Sequence, residues 1–550
     1  MSATAAPTNI RHRIIAVSML MAFILYLDRI CLAEIVKSAS FKTDVPLTKE
    51  EIGRILGAFF FSYAIFQVPT GWASDRFGAR KMLTAYIMLW SLFTGLTGFM
   101  STFSGLLCMR LLCGAAEAGA YPTSGAVIRR WIPLESRARC SALVAFGGRI
   151  GGTLAPFITA WMVIELGHWR RPLWIDGAVG IIIALIYWRV VRNSPEEHPD
   201  CNDAERAIIG KPPVEPPVPT SEFLGMLGAF CRSPSLWLNS AGQLCTNIGW
   251  GFLITWLPTY LKEQKGVEDI AGGRMVTLVL AFGMVGQLVG GWLADLSVRR
   301  FGLRWGRVLP MFAGGCLGGS AYLVCLTQDS AWGVIACCCV VSFAVDMGNP
   351  ATWAFMQDIG GRATAAAFGW GNMWGNFGAS AISMLVPLML ELGKGGGTGQ
   401  RNVFILCASA LFLYGFIALA LDATKPLQGF TLPVNPLPGG LLLVAAVAAI
   451  GVTSGSPLDP TREGFGMLAL GVAAAVFTFS RMRRLSLIGN ASFIALTGSA
   501  AVATLVLAGK SPDASASLVV PTLLGGGLSC LLAVWATFKL GPEVQHDRGA

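Results

Sequence analysis

The sequence predicts an all-α integral membrane protein, and three of its properties lead to this fold class. Of the 550 residues, 54% are hydrophobic and 13% are charged, whereas soluble proteins carry roughly 25% charged residues. The apolar residues are gathered into blocks of about 20, the length that crosses the hydrocarbon core of a bilayer. The positively charged residues lie mostly in the short loops between these blocks, where they set topology. The same composition excludes a disordered, a collagen-like and a nucleic-acid-binding protein, although the formal net charge is +10.

Sixteen apolar blocks are long enough to span a membrane. The first is too long for a cleavable signal peptide and contains Asp28 and Arg29, so we expect it to be the first span. We therefore expect a multi-pass protein of the bacterial inner membrane. The blocks lie near residues 14–34, 52–73, 82–101, 103–127, 140–165, 173–191, 236–261, 275–296, 308–327, 331–356, 363–390, 402–421, 438–455, 464–480, 486–508 and 517–538.

Clusters of Lys and Arg follow several even-numbered blocks and predict the orientation, because cytoplasmic loops carry an excess of these residues. Both termini are therefore predicted to be cytoplasmic. The clusters are Arg76, Arg80 and Lys81 after the second block, Arg129, Arg130, Arg137 and Arg139 after the fourth, Arg299, Arg300, Arg304 and Arg307 after the eighth, and Arg481, Arg483 and Arg484 after the fourteenth.

A polar, proline-rich stretch between Arg192 and Arg232 divides the first twelve blocks into six plus six. We interpret it as a cytoplasmic linker, for which a passive tether is the simplest role. The last four blocks hold almost no ionisable residue within the membrane, which favours an accessory packing or lipid-facing module. The predicted domains are an N-terminal six-helix half (1–191), the linker (192–235), a C-terminal six-helix half (236–425) and an extra hydrophobic module of about four transmembrane helices (426–550).

One motif occurs twice, each time directly after the second block of a six-block half. Residues 71–81 read GWASDRFGARK and residues 291–307 read GWLADLSVRRFGLRWGR. The glycines allow two helices to approach closely, the aspartates can accept hydrogen bonds at the N-terminus of a neighbouring helix, and the arginines that follow can pair with these carboxylates. Such contacts would form on one side of the membrane in one conformation and break in the other. We therefore assign a gating role to Gly71, Asp75, Arg76, Gly78, Arg80, Gly291, Asp295 and Arg299.

The double motif in a six-plus-six layout resembles the major facilitator superfamily of secondary transporters. The resemblance covers about residues 10–425, and the last four blocks lie beyond it. It implies a major facilitator fold of two six-helix halves, rocker-switch alternating access and a central site between the halves.

Five ionisable residues lie deep in the N-terminal spans, where each costs at least a few kcal/mol. They are Asp28, Arg29, Arg110, Glu117 and Arg149. Arg110 and Glu117 are seven residues apart, which places them on one face of a helix and about 10 Å apart along its axis. Arg149 lies within FGGRIGG, whose glycines leave the guanidinium room to reach across. Structural ion pairs are one explanation, but two acids and three cations leave one positive charge that an anionic substrate would neutralise.

Polar groups rather than charges mark the C-terminal spans. Amides and an indole suit the hydroxyl groups of a sugar acid, and interhelical hydrogen bonding is the alternative. Asp346 is a further acid in the tenth block, which either pairs with a cation or lies near the interface. The candidate polar residues are Asn247, Trp353, Asn372 and Asn376.

Several short stretches narrow the resemblance to the anion:cation symporter family. Members of that family carry hexuronates, aldonates and glucarate in bacteria, and sialate, phosphate and glutamate in animals. The stretches are YLDR at 26–29, RLLCGAAEAGAYP at 110–122, SPEEHP at 194–199, TWLPTYL at 255–261 and GNMWGN at 371–376.

This resemblance implies roles for individual residues. In the sugar-acid carriers, acids that match Asp28 and Glu117 take part in proton coupling, and an arginine that matches Arg29 contacts the substrate carboxylate. Tyrosines that match Tyr26 and Tyr63 help to line the site. The position of Arg149 is a neutral amide in some members, so we expect a more positive anion site here.

Together these observations predict a substrate site and a coupling group. Arg29 and Arg149 are expected to engage the substrate carboxylate, whereas Arg110 is expected to pair with Glu117 or Asp28 and to release that acid when it is protonated. The predicted substrate-binding residues are Arg29, Arg149, Tyr26, Tyr63, Gln67, Asn247, Trp353, Asn372 and Asn376, and the predicted coupling residues are Asp28, Glu117 and Arg110.

The predicted function is proton-coupled symport of a small organic anion, a sugar acid such as a hexuronate, aldonate or glucarate. The alternatives are a phosphate or organophosphate antiporter, a sodium-coupled anion carrier and a transport-dead nutrient sensor. An enzyme would need catalytic or metal-binding side chains near the interface, but the four histidines are scattered at the ends and in loops, so we expect neither an enzyme nor a metal or other cofactor. The expected partners are the anion, a proton or sodium ion and membrane lipid, with no nucleic acid, and we expect a monomer.

Overall fold

The computed structural model describes residues 6–210, 216–392 and 399–428. These residues are helical, with connecting turns and short 3-10 segments. The predicted C-terminal module lies outside the described residues from position 429 onward.

Each of the first twelve predicted blocks corresponds to helix. The N-terminal group consists of α1 (Ile10–Ile35), α2 (Lys49–Phe77), α3 (Ala79–Thr97), α4 (Phe103–Glu117, continued as Ala120–Trp131), α5 (Arg137–Leu166) and α6 (Arg170–Val190). The C-terminal group consists of α7 (Pro234–Thr255, followed by Leu257–Lys265), α8 and α9 (together Asp269–Cys325), α10 (Ala331–Ile359), α11 (Thr364–Leu392) and α12 (Gly399–Leu419).

Within the described ranges, nine helices are long and apolar enough to cross a membrane. One of them, residues 270–325, holds both α8 and α9, because Gly302 adopts the non-helical angles φ 77° and ψ 175° and separates two consecutive spans. Helices α3 and α7 are not among the nine, although they occupy the third and seventh predicted positions.

Local signals in the sequence set the ends of α2, which carries the first motif. At its start, the Thr48 side chain accepts from the backbone N–H of Glu51, and the Glu51 carboxylate accepts from the backbone N–H of Thr48, which forms a capping box. At its end, Gly78 has φ +94°, a conformation that favours glycine. The motif therefore lies at a defined helix end.

Glycines bring the fifth helix of each group onto the first. A Cβ atom at Gly147 of α5 would lie 2.5 Å from the carbonyl oxygen of Met19 in α1. A Cβ atom at Gly378 of α11 would lie at least as close to the carbonyl oxygen of Leu244 in α7. Helices can approach this closely where the contact residue lacks a side chain, and the α1–α5 contact holds Arg149 beside α1.

The stretch after α6 is docked onto the bundle, in contrast to the passive tether that its composition predicts. It contains a helix, Asp203–Ile209, whose Glu205 is fully buried. The Glu205 carboxylate accepts from the backbone N–H groups of Asn9 (3.0 Å) and Arg11 (3.2 Å) and forms an ion pair with the Arg11 guanidinium at 2.8 Å. A carboxylate satisfies the free N–H groups and the positive end of a helix dipole, which explains why a polar segment attaches at the start of α1.

Candidate functional site

The two copies of the motif make matching contacts between the helix groups. Asp75 accepts from the backbone N–H groups of Ala365 (3.0 Å) and Ala366 (2.9 Å) at the start of α11. Asp295 accepts in the same way from Ala138 (3.1 Å) and Arg139 (2.9 Å) at the start of α5. Each aspartate therefore caps a helix N-terminus in the other group, as the sequence predicts.

The motif glycines make these caps possible. A Cβ atom at Gly71 would lie 2.5 Å from the carbonyl oxygen of Ala365, and one at Gly291 would lie 2.7 Å from the Cβ of Ala142. Both distances are shorter than a normal contact, so a larger residue at either position would push the helix groups apart.

Most arginines of the motif contact groups other than the aspartates, but Arg307, at the end of the second copy, pairs with Asp295 at 3.4 Å, as the sequence predicts. Arg80 donates to the backbone carbonyl of Trp188 at 2.9 Å, the Arg76 guanidinium lies 5.5 Å from the ring centre of the adjacent Phe77, and Arg299 pairs with Glu135 at 3.1 Å. In the first copy, Arg76 directly follows Asp75 and therefore points away from it on the helix.

The charged partners of Asp295 are Arg139 of α5 (3.1 Å) and Arg307 of α9 (3.4 Å). Arg307 is fully buried and also pairs with Asp358 of α10 at 2.8 Å. Asp358 in turn accepts from Arg137 of α5 at 2.7 Å. We call the end of the bundle that carries both motifs the motif side, and it is closed in this structure by contacts between the two groups.

Arg29 is the centre of the predicted substrate site. Its Nε and Nη2 atoms both donate to Oε2 of Glu117, at 3.1 and 2.9 Å. The guanidinium lies 4.9 Å from the ring centre of Tyr26, 4.5 Å from that of Tyr63 and 5.1 Å from that of Phe59. The side chain of Arg29 is 12% exposed and that of Glu117 is 2% exposed. The ion pair is therefore framed by aromatic rings and accessible mainly through the arginine.

Of the two acids expected to pair with Arg110, Glu117 is bound to Arg29, and Asp28 is an electrostatic neighbour of Arg110. Arg110 donates to the backbone carbonyl of Arg29 at 3.0 Å, and its guanidinium lies 4.8 Å from the ring centre of Phe59. Two helical turns place Arg110 and Glu117 about 10 Å apart along one helix, and α1 approaches both. Arg110 thus fixes the backbone that carries Arg29.

Asp28 lies behind this site and is 1% exposed. Among the described residues its carboxylate oxygens make no hydrogen bond of normal geometry, and the Trp90 side chain is the hydrogen-bonding group beside them. Its electrostatic neighbours include Asp176 of α6, Glu117 and Arg110. An ionised carboxylate in such a position is costly unless it is paired.

Asp176 was missed by the sequence reasoning. It is 4% exposed and lies within an apolar block that contains no other acid between residues 173 and 191. Its position near the beginning of the block resembles that of an interfacial residue. A count of every acid inside a block, rather than those near the block centre, would have found it.

Arg149 of α5 forms an ion pair with Asp346 of α10 at 2.6 Å, which joins the two helix groups. The guanidinium also lies 4.7 Å from the ring centre of Trp250 in α7. The side chain of Arg149 is 20% exposed and that of Asp346 is 3% exposed. Of the two alternatives for Asp346, pairing with a cation is therefore the correct one.

Some of the other predicted polar residues make contacts between the two helix groups, and others make contacts within their own helix. Gln67 of α2 accepts from Asn372 of α11 at 3.1 Å, and the ring of Trp353 lies 5.1 Å from that of Tyr121, so both contacts join the two groups. The amides of two other residues donate instead to a carbonyl of their own helix. These are Asn247, which donates to Gln243 at 2.9 Å, and Asn376, which donates to Asn372 at 2.8 Å.

The structure corrects the charge balance that the sequence predicts. Asp346 and Asp176 add two buried acids to Asp28 and Glu117. The three central arginines therefore face four acids among the described residues. No positive charge is left over for an anion to neutralise in this part of the structure, so an anion must compete with a carboxylate.

Comparison with known proteins decides the family. The model of the Major Facilitator Superfamily matches residues 18–383. The chain belongs to this superfamily. It is therefore a multi-pass secondary transporter of the membrane and not an enzyme.

Its relatives are carriers of organic anions. The probable sulfoacetate transporter SauU of Cupriavidus necator is 30% identical over 414 residues, which cover 74% of this chain and 93% of the relative. The probable galactarate/D-glucarate transporter GudP of Escherichia coli K12 is 26% identical, covering 77% and 97%. The D-galactonate transporter of Escherichia coli O6:H1 is 27% identical, covering 76% and 98%. The resemblance to the sugar-acid carriers of the anion:cation symporter family is confirmed.

Solved structures confirm the fold. The fucose:proton symporter FucP of Escherichia coli superposes with a TM-score of 0.56 at 15% identity, covering 74% of this chain and 98% of FucP. The proton:xylose symporter XylE gives a TM-score of 0.56 at 15% identity, covering 77% and 99%. At this identity the likeness shows the major facilitator fold alone.

Proposed function

We propose that the protein moves a small organic anion, a sugar acid such as a hexuronate, aldonate or glucarate, together with protons by alternating access. The observation that carries this proposal is the pair of Arg29 and Glu117. The arginine keeps one partly exposed face, and its carboxylate partner is buried behind it. Relatives named as carriers of sulfoacetate, galactarate, D-glucarate and D-galactonate support an anionic substrate.

Arg29 has the chemistry to bind a carboxylate. A guanidinium is planar, stays charged and can bind a carboxylate through two parallel hydrogen bonds. The rings of Tyr26 and Tyr63 lie 4.9 and 4.5 Å from the guanidinium and offer surfaces for the carbon skeleton of a sugar acid. Gln67 and Asn372, which already bind each other, offer polar groups for hydroxyls.

Glu117 and Asp28 are the proposed proton carriers. When a substrate carboxylate binds Arg29, it competes directly with Glu117 for the same N–H donors. Protonation of Glu117 frees those donors. We assign Arg110 a positioning role, because its contact with this site is through the backbone carbonyl of Arg29.

The two aspartate caps are the proposed gate. We expect the motif side to be the cytoplasmic side, with both termini there, in the bacterial inner membrane. The caps at Asp75 and Asp295 hold this side closed, and substrate exchange on this side would require both to open.

Uptake into proteoliposomes tests the function. The purified protein is assayed with a panel of sugar acids and with phosphate, while a pH gradient and a sodium gradient are imposed separately. We expect a pH gradient alone to drive accumulation of a sugar acid. Accumulation that follows only the sodium gradient would replace the proton by sodium, and exchange of phosphate without a gradient would favour the antiporter. Binding of a sugar acid without any flux would identify a sensor.

The variant Glu117→Gln tests the coupling residue. It should abolish proton-driven accumulation while substrate exchange persists, because glutamine cannot gain or lose a proton. The matched control is Glu34→Gln in α1, since Glu34 pairs with Lys37, which lies just beyond the end of the same helix. Full accumulation against a gradient by Glu117→Gln would refute the assignment.

A further inference from the structure

The pair of Arg149 and Asp346 has no role in the proposed exchange at Arg29. It joins α5 of one helix group to α10 of the other with a distance of 2.6 Å. An ion pair in the membrane interior is expensive to place and marks a functional position more often than a purely structural one. The pair therefore needs an explanation of its own.

Its arrangement repeats that of Arg29 and Glu117. In both pairs the arginine is partly exposed, at 12% for Arg29 and 20% for Arg149, and the acid is buried, at 2% and 3%. In both pairs the guanidinium also lies against an aromatic ring, which is Trp250 in the case of Arg149. Each pair thus presents a cation on its accessible side and an acid behind it.

One residue connects the two pairs. The Tyr26 ring centre lies 4.9 Å from the Arg29 guanidinium. The same ring packs on the glycines that flank Arg149, because a Cβ atom at Gly148 would lie 2.9 Å from Tyr26 and one at Gly152 would lie 3.1 Å from it. Tyr26 therefore contacts the Arg29 guanidinium and the helix segment that carries Arg149, and it also interacts electrostatically with Arg149, which brings the two arginines into one neighbourhood.

We propose that Arg149 is a second anion-binding position, and that the substrate carries two anionic groups on one short carbon skeleton. One group binds Arg29 and the other competes with Asp346 for Arg149. This inference rests on the proposed function, which requires one anionic group, and adds the second. A guanidinium has five N–H donors, and the contact with Asp346 uses the single nitrogen Nη2.

The surroundings of Asp346 explain how it would release Arg149. Arg149 from α5 is the cation that faces it, and α8 faces it with Gly283, where a Cβ atom would lie 2.5 Å from Oδ2 of Asp346. When an anionic group of the substrate takes its place, Asp346 is left buried and unpaired unless it binds a proton. The second anionic group would therefore bring a second proton.

Two ligands test whether the site binds one anionic group or two. They are a six-carbon sugar acid with one terminal carboxylate and the matching acid with two, which differ only at the second end. Their affinities are measured by titration calorimetry with the full-length protein in detergent. The test variant is the double substitution Arg149→Gln with Asp346→Asn, which removes both charges together and leaves no unpaired ion. The matched control is Arg206→Gln with Asp203→Asn, an exposed Arg–Asp pair at 3.1 Å in the linker.

At a pH at which the displaced Asp346 takes up a proton, we expect the parent protein to bind the two-carboxylate acid about 10- to 100-fold more tightly than the one-carboxylate acid, the value of one charge-assisted contact. The test variant should lose that preference, and the control variant should keep it. Asp346→Asn alone removes the carboxylate that competes with the substrate for Arg149, so it should increase the preference for the two-carboxylate acid.

The possible failures are distinguishable. If the parent and the test variant bind the one-carboxylate acid and show the same preference, Arg149 is a bracing residue and the inference is overturned while the proposed function stands. If the parent binds and transports neither acid, the proposed function fails as well. A decrease of the preference in Asp346→Asn would also overturn the inference, because Asp346 would then assist the ligand rather than compete with it.

Discussion

Replacement of Asp75 by asparagine tests whether the motif caps hold the protein closed. Asp75 is 6% exposed and accepts two backbone N–H groups at the start of α11, at 3.0 and 2.9 Å. Asparagine offers one carbonyl oxygen, and its other terminal group is a hydrogen-bond donor. One backbone N–H of α11 therefore loses its acceptor, and the helix N-terminus loses a negative charge.

The size of the effect follows from these contacts. A hydrogen bond to a charged group contributes about 1.5–3 kcal/mol, and a negative charge at a helix N-terminus contributes about 0.3–1 kcal/mol. A loss of about 2 kcal/mol is expected for the closed state. Since 1.4 kcal/mol corresponds to a factor of ten, the population that is open on the motif side should increase roughly 30-fold.

Hydrogen exchange with mass spectrometry in lipid nanodiscs measures this population. The reporters are the amides of Ala365 and Ala366, which Asp75 caps, and those of Ala138 and Arg139, which Asp295 caps. Both pairs should exchange roughly 30-fold faster in Asp75→Asn, because both caps open in the same motion.

The control for this experiment is Asp203→Asn in the linker, since the Asp203 side chain is 99% exposed. It should leave exchange at all four amides unchanged. Faster exchange at Ala365 and Ala366 alone would show that Asp75→Asn frays one helix end without opening the gate. Unchanged exchange at all four amides would refute the reasoning.

Three further predictions use other parts of the structure. Gly71→Ala should reduce transport and speed the same amide exchange, because its Cβ would lie 2.5 Å from a backbone oxygen of α11, whereas Gly57→Ala, whose Cβ meets nothing within 4 Å, should do neither. Glu205→Gln should lower the free energy of unfolding in detergent by about 1–2 kcal/mol and with it the melting temperature. An unchanged melting temperature would support the interpretation of the linker as a passive tether. Reporter fusions should read external after Gly167 and internal after Arg192, and the opposite result would reverse the proposed orientation.

The fold and the gate contacts could be predicted because their signals are local. Blocks of about 20 apolar residues fix the spans, and the caps by Asp75 and Asp295 follow from a motif that occurs twice. A short acidic side chain after a glycine at a helix end has few possible partners, and a helix N-terminus is the favourable one. The second copy of the motif indicated that both helix groups make the same contact.

The pairing of the buried charges could not be predicted in the same way. Arg149 and Asp346 are 197 residues apart, and Arg29 and Glu117 are 88 residues apart. Which charges meet depends on how neighbouring helices are rotated and how closely glycines let them approach, and neither is encoded in the spacing along one helix. Of the two acids expected to pair with Arg110, Glu117 is bound to Arg29 and Asp28 is an electrostatic neighbour of Arg110. Spacing within one helix does not predict this outcome, because the contacts are made between helices.

The charge balance of the site constrains how an anion can bind. Arg29 and Arg149 already have carboxylate partners, so a substrate anion adds negative charge to a region with little water. A displaced and ionised Glu117 would be a broken buried pair, at a cost of about 3–5 kcal/mol, which exceeds the 1.5–3 kcal/mol of a new charge-assisted contact. A proton on the displaced acid removes that cost. If the substrate binds Arg29 as proposed, anion and proton therefore strengthen each other's binding by the same factor. This coupling requires an exchange of partners at the arginine, and it requires no direct contact between the substrate and the acid that carries the proton.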